Sequence, residues 1–197
     1  MIDKTPTIRS HLAASAEITQ KIAESCVADI LEITERLIQA FRDGKKVLLC
    51  GNGGSAADSQ HIAAELVCRF QMNRSALPAI ALTTDTSILT AVGNDFGFET
   101  MFSRQVEALG REGDILIGLS TSGASKNVAL AMHRAKQKRL ITIAFVGENP
   151  GPVSESADVV LRIPSKITAR IQEGHATVGH IICDLVEKDL FEKENGE

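Results

Sequence analysis

The sequence predicts an α/β fold, a three-layer, doubly wound sheet of five parallel strands behind an N-terminal helical extension. Three observations predict it. Short apolar runs rich in β-branched residues at 46–50, 78–84, 114–120, 140–147 and 158–164 alternate with helical segments, the pattern of a parallel sheet with crossover helices. Apolar residues between Ile8 and Phe41 recur at helical spacing before the first of these runs. The first three runs each end in small polar residues, Gly51-Asn52-Gly53-Gly54-Ser55, Thr83-Thr84-Asp85 and Ser120-Thr121-Ser122-Gly123-Ala124-Ser125. Ligands of open α/β sheets collect at such carboxyl ends.

In chain order, Ile18, Ile22, Ile30, Leu31, Leu37, Ile38 and Phe41 form the apolar stripe of two helices or one broken helix. The 46–50 run lies between Gly44 and Gly51 and suits a strand covered on both faces. Gly51, Gly53 and Gly54 then permit positive φ and close backbone approach, so amides opening the next helix can face an anion. The same turn, as Gly51-x-Gly53-x-x-Ala56, also fits a dinucleotide fingerprint, with Asp85 as the acidic partner, or a purely structural turn. On the following helix His61 and Glu65 are four apart and share a face. They read as a surface pair, a metal pair or a catalytic pair.

The 120–125 loop places four hydroxyls beside a helix start, a neutral cradle for a phosphate that must also leave. The structural alternative is that Ser122 or Ser125 caps that helix. Residues 147–152 read as a loop before a short turn. A final helix over 169–191 presents Ile171, Val178, Ile181, Ile182, Leu185, Val186 and Leu190 on one broad face. Gly174 and Gly179 each cost it about 1 kcal/mol relative to Ala, which points to close packing against another helix or subunit. Gln172 and His180 are eight apart on it, a rise of about 12 Å. For both to reach one ion, the helix must begin late or two chains must contribute. His175 lies about 140° around the helix from His180 and belongs elsewhere, while His11 and His133 have no polar company in sequence.

Composition narrows the function classes. With 197 residues and 44% hydrophobic content the chain can bury one sizeable core, and two full domains would be crowded. The expected organisation is a single domain, 1–197, with helices over 1–43 and the α/β core over 44–197. The net charge of −4 is dispersed, and neither Trp nor Tyr is present, which argues against a nucleic-acid or anionic-membrane partner. Four widely spaced cysteines read as free thiols of a reducing cytoplasm. No signal core or bilayer-length apolar run is expected, and no Gly-Lys-Ser/Thr element supports a Walker-type nucleotide site.

Taken together, Gly51-Asn52-Gly53-Gly54-Ser55-Ala56-Ala57-Asp58 with His61 and Glu65, then Gly93-Asn94-Asp95, the Ser120–Ser125 loop with Asn127, and Arg170-Ile171-Gln172-Glu173 through His180 closely resemble the bacterial phosphoheptose isomerases of the sugar isomerase (SIS) fold family. The resemblance covers nearly the whole chain. It implies a flavodoxin-like SIS fold and a cytoplasmic homotetramer with active sites between subunits. The implied reaction converts sedoheptulose 7-phosphate to D-glycero-D-manno-heptose 7-phosphate. By the same resemblance Asn52, Gly53, Gly54, Ser55, Glu65, Asn94, Asp95, Ser120, Thr121, Ser122, Ser125 and Gln172 bind substrate, and Glu65 and His180 carry the proton chemistry. It further implies one zinc per subunit, held by His61, Glu65, Gln172 and His180, and no nucleotide cofactor. The alternative is a non-catalytic protein of this fold that binds the replication initiator, a type that lacks the acid and base.

Overall fold

The computed structural model describes residues 2–192; Met1 and 193–197, the expected outer limits of the domain, lie outside the described residues. Two helices, α1 (Thr5–Ser25) and α2 (Val27–Arg42), lead into β1 (Val47–Gly51), α3 (Gly54–Val67), β2 (Ala79–Ala81) and α4 (Thr86–Phe96). After a 3-10 turn (Phe98–Thr100) come α5 (Met101–Leu109), β3 (Ile115–Ser120), α6 (Lys126–Gln137), β4 (Ile141–Val146), α7 (Gly151–Glu155), β5 (Val159–Arg162) and α8 (Thr168–Phe191). All strand pairs are parallel, in the order β2-β1-β3-β4-β5. The order reverses between β1 and β3, so the loops leaving those two strands flank the switch-point crevice.

Strand periodicity divides the core. Val47, Leu49, Ile115, Ile117, Leu119, Ile143, Phe145, Val159 and Leu161 pack with α1, α2, α3 and α8. Leu48, Cys50, Leu116, Ala144 and Val146 face the opposite layer, which is built from α5, α6 and α7. A run buried on both sides loses its polar alternation, and β1 and β3 are fully buried along their whole length.

The central strands shift from the expected runs by no more than a single residue at either end, and the larger differences from expectation fall at the edges. β2 stops at Ala81 rather than position 84: it pairs only with β1, and the chain turns at 82–83. There Asp85 accepts from the Ile88 amide at 2.9 Å and caps α4, so its carboxylate serves the helix start and not a ribose. β5, the other edge, is trimmed to Val159–Arg162; Pro164 has no amide to extend a ladder. Cys26 alone separates α1 from α2, and α7 is a short helix where a loop and turn were expected.

The two glycines of α8 are explained within the chain. A Cβ on Gly174 would press on Ile163 and Ile22 at 2.9–3.0 Å, and one on Gly179 on Ile62 at 3.0 Å. They are the points where α8 closes on α1 and α3, a helix–helix contact of the kind that offsets a glycine's propensity cost.

His175, fully buried, fills the space between α8 and β4: Nε2 lies 3.3 Å from the Val146 carbonyl, the ring stands 5.6 Å from Phe145, and Nδ1 has no partner. Burial lowers its pKa from 6.5 to about 4. Between those values the unfolded chain binds the proton and the folded one does not, so stability falls as pH falls through 6.5 and the loss is complete near 4. Urea unfolding of the parent should lose about 3 kcal/mol over that window through this group. The His175→Leu variant should lack this component, and identical pH slopes for the two proteins would remove His175 as its source.

Candidate functional site

The site is assembled from the two switch-point loops and two helices that start beside them. After β1 the chain reverses at Gly53, whose φ of 55° opens α3. The amides of Ser55, Ala56 and Ala57 bond to the carbonyls of Asn52 and Gly53 at 3.0–3.2 Å. Those three donors are therefore spent within the turn, and less of it faces an anion than its glycines alone imply. The backbone of Gly54 is left open for Gln172 of α8: a Cβ there would overlap the Gln172 carboxamide nitrogen. Gly54→Ala should therefore displace Gln172, whose flexible end can yield, while sparing the fold. We expect Tm within a few degrees of the parent and, with Gln172 binding substrate as the resemblance implies, KM raised about tenfold or more; an unchanged KM would detach Gln172 from binding.

In the loop after β3, the Ser120 and Ser125 hydroxyls lie 2.8 Å apart and the Ser122 hydroxyl accepts from the Ala124 amide at 3.2 Å. Ser125 occupies the N-cap position of α6 without a capping bond from its side chain. The structural alternative for Ser125 thus fails, and its hydroxyl turns to Ser120 instead. Asn127, nearly fully buried in the first turn of α6, forms a reciprocal amide pair with Asn52, at 2.9 and 2.8 Å. This pair ties the two loops into one wall. Sequence reading had placed Asn127 in the motif without giving it this role.

Further along α3, His61 and Glu65 meet His180 on α8. Nε2 of His61 is 3.2 Å from Oε1 of Glu65 and 3.1 Å from Nε2 of His180, and one ligand atom from each residue lies within 4.8 Å of the others. α8 does not begin late, since it is helical from Thr168. It runs alongside α3, with Gln172 at Gly54, Gly179 at Ile62 and His180 at His61. One chain therefore gathers His61, Glu65 and His180 and leaves Gln172 higher up the same helix, beside the glycine turn.

The donor set fits a zinc ion. Two imidazoles and a carboxylate, ranging from partly exposed to exposed, form a three-ligand set that leaves a position open for substrate. Asp58, one turn before His61, is a residue that spacing alone did not single out. Its Oδ2 is buried without a partner, and burial raises its pKa against the opposing pull of His61.

Asn94 and Asp95 sit at the end of α4, exposed, with the Asn94 carboxamide donating to Asp95 at 2.7 Å. Among the described residues no hydrogen bond joins them to the two loops or to the triad. His133 and His11 play no part here: His133 pairs with Gln137 on the surface, and the His11 carbonyl accepts from Arg170.

Comparisons with known proteins identify the family. The family model for the SIS domain matches residues 10–147. Phosphoheptose isomerases from Clostridium acetobutylicum and a Roseiflexus species are 53% and 52% identical over 186 and 189 residues, covering 93% and 96% of this chain and 95% and 96% of theirs. The solved phosphoheptose isomerase of Neisseria gonorrhoeae superposes with a TM-score of 0.90 at 42% identity, covering 94% of this chain and all of that one. That of Francisella tularensis gives 0.91 at 36%, covering 95% of this chain. With relatives at this identity spanning nearly its full length, the chain belongs to the SIS family and, within it, to the phosphoheptose isomerases.

Proposed function

We propose that the chain is an aldose–ketose isomerase converting D-sedoheptulose 7-phosphate to D-glycero-D-manno-heptose 7-phosphate through an enediol. This would be the first step toward the activated heptose of bacterial surface polysaccharides. The observation that carries the reading is the meeting of Glu65 with two imidazoles where α3 and α8 run side by side.

Moving a carbonyl from C2 to C1 requires taking a proton from C1 and delivering one to C2. Glu65 is assigned as the base: it removes the C1 proton, the C–H electrons form the C1–C2 double bond, and O2 takes a proton to give the enediol. His180 serves the oxygens, donating to O2 and then accepting from O1 as the C1 carbonyl forms and Glu65 returns its proton to C2. Ser120, Thr121, Ser122 and Ser125 are assigned to the phosphate, while Asn52, Gly53, Gly54, Ser55 and Gln172 line the sugar. Zinc held on His61, Glu65 and His180 would instead supply Lewis-acid polarisation of the substrate oxygens, in place of proton donation by His180. Gln172 becomes its fourth ligand only if its carboxamide leaves Gly54 or a second chain provides it. Chelation should lower activity and added zinc restore it; indifference to chelator in a metal-free preparation would leave zinc out of the reaction.

The proposed assembly is a homotetramer with sites between subunits. Supporting it, α4 contains Ile88, Leu89, Val92 and Phe96 yet buries none of its residues within the chain, and Phe96 and Phe98 are more than half exposed. A neighbouring copy covering α4 would also bring Asn94 and Asp95 to a site. A cytoplasmic location fits four free cysteines, and among the described residues no helix is long and apolar enough to cross a membrane. Residues 1–197 act in this reading as one domain. Assay of the purified protein tests the function: heptose phosphate formation supports it. No product, together with retained binding to the replication initiator, would favour the non-catalytic alternative.

A further inference from the structure

α8 carries Glu187 about two turns beyond His180, on nearly the same face. Glu187 is 1% exposed. Its carboxylate accepts from the amides of Phe70 at 3.0 Å, Gln71 at 2.7 Å and Met72, and from Arg74 Nε at 2.8 Å. Arg74 Nη1 donates to the carbonyls of Leu66 and Ser75 and Nη2 to that of Glu65, each at 2.9 Å. Glu65 and Leu66 belong to the last turn of α3, where carbonyls lack helical partners and a cation opposes the helix dipole.

The 68–77 connection is thus pinned at one end to the helix bearing Glu65 and at the other to the helix bearing His180. Between the pins, Phe70 lies over the His180 imidazole, with ring centroids 5.5 Å apart and planes 28° apart. On its other contact the His180 ring meets the His61 ring edge-on, at 4.8 Å and 78°. An apolar pair of equal volume would pack the same space without the desolvation that a buried ion pair suffers. What the ion pair adds is direction, since it fixes three amides and three carbonyls at once.

We propose that Phe70, held by the Arg74–Glu187 pair, is a positioning residue that sets the orientation of the His180 imidazole relative to Glu65. This rests on the assignment of Glu65 and His180 to proton transfer. It predicts a loss in turnover and not in binding, because Phe70 and Glu187 have no contact with the 51–55 and 120–125 loops among the interactions described above.

The test compares Phe70→Leu, Phe70→Tyr and Glu187→Gln in the full chain, with Glu65→Gln alongside, by kcat, KM and circular dichroism. Phe70→Leu should lower kcat roughly 10- to 100-fold with KM within about threefold of the parent. Phe70→Tyr, which restores the ring, should return kcat to within about threefold, and Glu187→Gln should move kcat in the same direction as Phe70→Leu. A parental kcat in folded Phe70→Leu, with Glu65→Gln inactive, overturns the positioning role alone. A loss that Phe70→Tyr fails to restore overturns it as well. An active Glu65→Gln overturns the underlying assignment and this proposal with it.

Discussion

Glu65→Gln should leave a folded protein that still binds the sugar phosphate but lowers kcat by about 10³-fold or more, within the range a positioned general base contributes. The amide keeps the size of the carboxylate and its place 3.2 Å from His61, so the protein loses the ability to take a carbon-bound proton and little else. Kinetics paired with calorimetric binding separate the two effects. Turnover within a few-fold of the parent would remove Glu65 from the base role.

The second large effect is on stability. Glu187→Ala strands the Arg74 guanidinium, whose side chain is 2% exposed, and leaves the amides of Phe70, Gln71 and Met72 without their acceptor. Breaking a buried pair from one side costs about 3–5 kcal/mol. Chemical denaturation should show a loss of that size, and a change below about 1 kcal/mol would mean that water or another group satisfies Arg74. Glu187→Gln should cost less, since its amide oxygen still accepts.

Much of this molecule was legible because its determinants are local. Central strands such as 46–50 and 114–120 announce themselves through burial on both faces; β3 and β4 differ from their apolar runs only at the end residues, while the edge strands β2 and β5 came out much shorter than theirs. The His61–Glu65 pair is local for the same reason, as are the hydroxyls of the 120–125 loop. Contacts made across the fold left little trace in sequence. Arg74 and Glu187 are 113 positions apart, and Asn52 and Asn127 are 75 apart. The rise between Gln172 and His180 was read as strain at a shared ion; the parallel run of α8 beside α3 resolves it by giving each residue a different neighbour, the glycine turn and His61. Likewise a glycine count suggested an anion cradle after β1, whereas the turn consumes several of those amides itself. In the function proposed above, that leaves phosphate binding chiefly to the serine loop.

Proton transfer through Glu65 is the centre of the account, and running the reaction in deuterium oxide tests it most directly. The Glu65 side chain is 25% exposed, so a proton it takes from C1 can exchange with solvent before it is returned to C2. Purified protein given sedoheptulose 7-phosphate should yield an aldoheptose 7-phosphate carrying solvent deuterium at C2, read by proton NMR as loss of the C2 signal. Unchanged ketose, or an aldose with no deuterium at C2, would contradict it.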